Sequence, residues 1–126
     1  MSYQNNIKNK VMSLDDMLKC TYQWRLLSRK IAFTNGVFDI MHRGHVQYLM
    51  QAADCADELI VGLNSDVSAR MLGKGDSRPI QDEQSRAIIL ASLAFVSAVV
   101  LFDEETPAAL IEQIAPDVLI KGGDYQ

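Results

Sequence analysis

Cysteine, proline and tryptophan are scarce in this chain, with 2, 3 and 1 copies among 126 residues. Cys20 and Cys55 lie far apart, form no CxxC and stand at no ligand spacing from a histidine, so neither a disulfide scaffold nor a thiolate metal site is indicated. A reducing, cytoplasmic setting is the expectation. No apolar run approaches the length of a membrane span, and Met1 to Lys10 is polar where a secretion signal would be apolar. Basic residues are outnumbered, 12 Lys and Arg against 16 Asp and Glu for a formal charge of −4, and no block of one sign stands out. A general nucleic-acid or membrane-surface binder is therefore not expected, and any phosphate must be gripped locally. Repeats and low-complexity tracts are missing too, and Pro79, Pro107 and Pro116 are scattered rather than gathered into a linker.

What the chain does have is apolar residues, 48% of the total, enough for one domain to bury roughly two thirds of its unfolded surface without staples. Residues 1–12 read as a loose polar lead-in, and 13–126 as a single domain. Ser13 with Asp16 resembles a capping box, and Leu14, Met17, Leu18, Tyr22 and Leu26 follow at helical spacing, predicting a helix over about 14–28. Ile31 to Thr34 reads as a strand ending at Asn35-Gly36, and Val46, Leu49, Met50 and Ala53 give helical period between Gly44 and Ala56. Leu59–Leu63 is a second buried-type strand, Asp66–Leu72 a short helix, and 73–79 a loop rich in glycine and charge. Asp82 is placed to cap a helix through Leu93, Ala98–Phe102 reads as a third strand, Thr106-Pro107 sets a cap and a first-turn proline, and Asp117–Ile120 reads as a fourth strand. Strands of continuous apolar character alternating with helices predict an α/β, doubly wound, Rossmann-like parallel sheet whose ligands sit at the carboxyl ends of its strands.

Three loops should converge there: Thr34 to His45, Asn64 to Arg78, and Lys121 to Asp124. In the first, Gly36 permits a tight turn, and His42-Arg43-Gly44-His45 falls where the next helix begins. Two imidazoles three residues apart share one helical face, Gly44 leaves the backbone bare between them, and a helix N-terminus favours anionic oxygens. Neutral imidazoles in that field would donate hydrogen bonds to a reacting phosphoryl group. A surface pair, or half of a metal site, is the plainer account of HxxH, but neither explains the glycine. No GxxxxGK[ST] and no GxGxxG follows the first strand, so neither the P-loop nor the dinucleotide fingerprint applies.

The run Thr34-Asn35-Gly36-Val37-Phe38-Asp39-Ile40-Met41-His42-Arg43-Gly44-His45 closely resembles the HxGH motif of the cytidylyltransferase-like nucleotidyltransferases. With Gly62 to Asp66, Arg78-Pro79-Ile80 and Lys121 to Tyr125, the chain from about Val11 onward is most similar to the adenylyltransferase domains of ADP-heptose synthases. That resemblance implies transfer of AMP from ATP to a sugar 1-phosphate, D-glycero-β-D-manno-heptose 1-phosphate, with release of pyrophosphate, by direct attack of the sugar phosphate oxygen on the α-phosphorus. It implies that His42 and His45 bind the nucleotide phosphates and stabilise the transition state. Thr34, Asn35, Gly36 and Phe38 would wall the nucleotide, Gly44 would let it approach, and Lys121, Gly122, Gly123 and Asp124 would border adenine and ribose.

Lys74 and Arg78 are candidates for catalytic contacts to the departing pyrophosphate or the sugar phosphate, against the plain alternative of solvated loop charges. Arg70 and Arg86 offer the same chemistry from helix faces, where such charges are commonly solvated. Asp39 suits either bracing of the loop through backbone N–H groups or a direct role with metal or substrate. Mg2+ is expected as cofactor, held mainly through nucleotide oxygens and water, with no protein metal site. The Ser/Thr-rich closing segment of such transferases, and the heptose kinase domain of bifunctional relatives, are absent from these 126 residues. Two rivals stand beside the heptose reading: a cytidylyltransferase acting on glycerol 3-phosphate or a similar phosphate, and a non-catalytic nucleotide-binding module. The expected partners are ATP and a sugar 1-phosphate, with no nucleic acid and no membrane, and a homodimer suits a domain this small.

Overall fold

A computed structural model of the chain describes residues 2–73 and 79–121. Its elements run α1 (Tyr3–Lys10), β1 (Val11–Met12), α2 (Leu14–Leu26), β2 (Ile31–Gly36), α3 (Arg43–Asp54), β3 (Glu58–Asn64), α4 (Asp66–Met71), α5 (Glu83–Ala91), β4 (Ala98–Phe102), α6 (Ala108–Ile114) and β5 (Val118–Leu119). The strands form one parallel sheet in the order β1-β4-β3-β2-β5. From β2 the chain steps outward through β3 to β4, then returns to place β5 on the other side of β2. The order reverses between β2 and β5, and the crevice of a doubly wound sheet opens at such a switch.

Successive strand residues point to opposite faces, which divides the apolar side chains into two layers. Ala32, Leu59, Val61 and Val99 face Leu49, Ala52, Ala87 and Leu90 of α3 and α5. Phe33, Ile60, Ala98 and Val100 face Met17 of α2 and Leu110 and Ile114 of α6. Each fully buried Leu, Ile or Phe contributes about 1.5–3 kcal/mol. Close packing leaves little slack in the second layer: a Cβ at Gly62 would stand 2.5 Å from Cζ of Phe33. Gly62→Ala is therefore expected to lose about 1–3 kcal/mol through overpacking. Urea denaturation with an unchanged midpoint would contradict this.

The segment 1–12, expected as a loose lead-in, instead carries α1 and β1. The sequence YQNNIKNK shows no apolar stripe and the helix has no buried residue, so periodicity gave no signal. Local bonds and edge docking hold it: Ser2 Oγ accepts from Asn5 N, Ile7 packs against the core, and Lys10 Nζ donates to Leu93 O at 3.1 Å. Burial pushes the Lys10 ammonium below its ordinary pKa. Strand β1 then pairs Val11 and Met12 with Val99 and Val100, adding a strand to the expected sheet. A second correction concerns Pro107, which stands at the N-cap of α6 and not within its first turn. The helix at 83 begins as expected: Asp82 Oδ1 accepts from Ser85 N at 2.8 Å, and that bond holds the carboxyl below its ordinary pKa. No helix among the described residues is long and apolar enough to cross a membrane, and Cys20 and Cys55 are free thiols.

Candidate active site at the switch of the sheet

Strand β2 ends at Gly36, and Phe38 turns the chain with φ of 50°, in the left-handed region. Its ring lies over Gly36, where an added Cβ would come within 2.8 Å of Phe38 Cε2. The same ring meets His45 edge-on, with centroids 5.9 Å apart. His42 follows as the N-cap of α3, in extended backbone, and its Nδ1 accepts from Gly44 N at 3.0 Å. His45 Nδ1 accepts in turn from His42 N at 3.2 Å. The motif is thus a capping box built from two imidazoles, their centroids 4.1 Å apart.

That arrangement has a chemical consequence. A nitrogen that accepts a backbone N–H carries no proton, so each ring in its neutral form is protonated at Nε2, where it is a hydrogen-bond donor. An imidazolium has no lone pair to offer, and protonating either ring would undo its part of the cap. Gly44 N–H is spent inside the cap. Each neutral ring keeps its Nε2–H as a donor group beside the N-terminus of α3, the positive end of the helix dipole.

The loop that carries the histidines is tied across the crevice rim. Asp39 Oδ2 accepts from Ile80 N at 2.8 Å and Oδ1 from Gln81 N at 2.9 Å, the bracing role of the two considered for it. Gln81 O accepts from Arg86 Nε at 3.0 Å. Arg86 also donates to Val37 O at 2.9 Å, Asn64 O at 2.7 Å and Asp66 Oδ1 at 2.7 Å. Its relative exposure is 0%, so it is no phosphate contact from a solvated helix face but a strut joining the ends of β2 and β3 to α4 and α5. Asp39→Asn would turn a donor toward one of the two amides it now accepts from. A loss of about 2 kcal/mol is expected. Thermal unfolding and faster amide exchange at Ile80 and Gln81 would register it, and unchanged values in both would contradict the brace.

Thr34 is fully buried, and its hydroxyl contacts Tyr48 Oη at 2.5 Å. Asn35 and Gly36 end β2 in partial burial opposite Gly62 and Leu63 of β3. Phe38 belongs to the core layer and supports His45 from the side. Lys121 is exposed just past β5, across the switch from the histidines. Lys74, Arg78, Gly122, Gly123 and Asp124 lie outside the described residues. Among the described residues no three His, Cys, Asp or Glu side chains gather as metal ligands. Sequence reasoning passed over Tyr48, although its place one turn after His45 on α3 was a usable signal.

Comparison with known proteins places this geometry. The family model described as cytidylyltransferase-like matches residues 33–126. A "Bifunctional protein HldE" from Wolinella succinogenes is 55% identical over 125 residues, 99% of this chain and 26% of that protein. Its namesake from Rhodospirillum rubrum is 53% identical over 117 residues, 93% of this chain and 23% of that protein. The chain thus spans about a quarter of the length of these relatives. The crystal structure of the lipopolysaccharide core biosynthesis protein from Thermoplasma volcanium superposes with a TM-score of 0.66 at 34% identity, covering 72% of each chain. A switch-point crevice fronted by an HxGH helix cap, in a sequence that the family model matches over most of its length, means that this chain belongs to the cytidylyltransferase-like family of nucleotidyltransferases.

Proposed function

We propose that the chain transfers AMP from ATP to D-glycero-β-D-manno-heptose 1-phosphate, giving ADP-heptose and pyrophosphate, as a step in the supply of surface lipopolysaccharide. One observation carries the reading: His42 and His45 each give Nδ1 to a helix-capping N–H, which commits Nε2–H to donation at the positive end of α3. The likeness to the bifunctional HldE proteins and to the lipopolysaccharide core biosynthesis protein supports the pathway.

In this reading an oxygen of the sugar phosphate attacks the α-phosphorus in line, and the bond to the bridging oxygen of pyrophosphate breaks. Charge spreads over the phosphoryl oxygens, where two positioned N–H donors lower the barrier without themselves changing protonation. Mg2+ bound to the nucleotide would neutralise part of the phosphate charge. Lys74 and Arg78 would meet the leaving pyrophosphate, and Lys121 to Asp124 would border ribose and adenine. The test is pyrophosphate release with ATP or CTP against a panel of phosphates. Turnover with ATP and the heptose 1-phosphate is expected. Turnover only with CTP and glycerol 3-phosphate would replace the substrates, and nucleotide binding without turnover would leave a binding module.

A further inference from the structure

Tyr48 is 7% exposed and projects from α3 one turn after His45. Its hydroxyl touches Thr34 Oγ1 of β2 at 2.5 Å and donates to Ile120 O, just past the end of β5, at 3.3 Å. A carbonyl can only accept, so the single phenolic proton goes to Ile120 and the Thr34 hydroxyl donates to Tyr48. One side chain therefore bolts together the three elements that meet at the switch: the helix that begins at the histidines, the strand that leads to them, and the opposite strand that ends beside Lys121. Ile120 is otherwise tethered by its N–H to Phe33 O at 2.9 Å. Beyond Val118–Leu119 β5 makes no further pairing among the described residues. The hydroxyl chain spans the place where an open sheet leaves its strand ends unsupported.

We infer that Tyr48 is a positioning residue that fixes the Lys121 end of β5 against the histidine-bearing helix, and so sets the width of the nucleotide crevice. This rests on the proposed function for its ligand, but its mechanical half does not. In Tyr48→Phe the ring still fills its place, so the fold survives while the bolt is lost. Amide exchange at Ile120 in the free protein is expected to quicken about tenfold, with the amides of Val61 and Val99 unchanged. ATP affinity by calorimetry is expected to fall about tenfold while kcat at saturation stays within about twofold.

Thr34→Val removes the other hydroxyl, and the double variant should be no weaker for ATP than Tyr48→Phe alone, because both break one chain. Unchanged exchange at Ile120 overturns the inference whatever the ligand. So do unchanged ATP affinity in Tyr48→Phe, losses that add in the double variant, and a uniform drop in melting temperature with KM untouched. If the unaltered chain binds no ATP, the proposed function fails, and the exchange measurement alone decides the role of Tyr48.

Discussion

His42→Asn is expected to lose on the order of 100-fold or more in turnover while unfolding at nearly the temperature of the unaltered chain. The two effects separate because His42 does two jobs with two nitrogens. Nδ1 caps α3 by accepting from Gly44 N, and the Asn side-chain oxygen is among the best acceptors at an N-cap. The Asn amide NH2 lies nearer the backbone than the imidazole Nε2–H, so in this account the transition state loses the donor at that reach. His42→Ala should show the same loss of activity together with about 1 kcal/mol of stability, since it removes the cap as well. Equal stability losses in the two variants would mark the residue as structural, and full activity in His42→Asn would remove the donor from the account. His45→Ala is expected to match the activity loss, and to release the His42 N–H that its ring now satisfies.

Arg86→Met is expected to cost about 3–5 kcal/mol, the penalty for removing one partner of a buried charged network. The substitution nearly conserves volume, so the loss comes from the acceptors left behind: Gln81 O, Val37 O, Asn64 O and the Asp66 carboxylate. Against a total stability of about 5–15 kcal/mol for a domain, that is a large fraction of the whole. Arg86→Lys keeps the charge but presents a compact ammonium in place of a planar fork, and it should fall between the two. Denaturation in urea reads both variants. A loss below about 1 kcal/mol in Arg86→Met would show that the network is no stronger than a surface pair.

The contrast between His42 and Arg86 shows what a sequence can carry. The histidines were legible because the strand, the glycine turn and the helix start all lie within Ile31–His45, where each local signal supports the next. The strands at the centre of the sheet were legible for the same reason: β3 and β4 are short apolar runs between polar breaks. In the sequence Arg86 looks like a helix-face charge, because its partners at positions 37, 64, 66 and 81 come together only in the fold. The Tyr48 hydroxyl likewise finds Ile120 across 72 positions of sequence. Helix α1 and strand β1 were missed because their order comes from a cap and from edge docking, and neither leaves an apolar period. Asp39 was legible in kind, as a short carboxylate suited to backbone amides, but its partners Ile80 and Gln81 were not.

The most direct measurement is nitrogen NMR of the chain labelled in its histidines, at alkaline pH, with and without ATP. Two neutral rings protonated at Nε2 are predicted, with both Nε2 signals moving on addition of nucleotide while each Nδ1 keeps the shift of an acceptor. Rings protonated at Nδ1, or Nε2 signals that ignore bound nucleotide, would contradict the donor pair on which the whole reading stands.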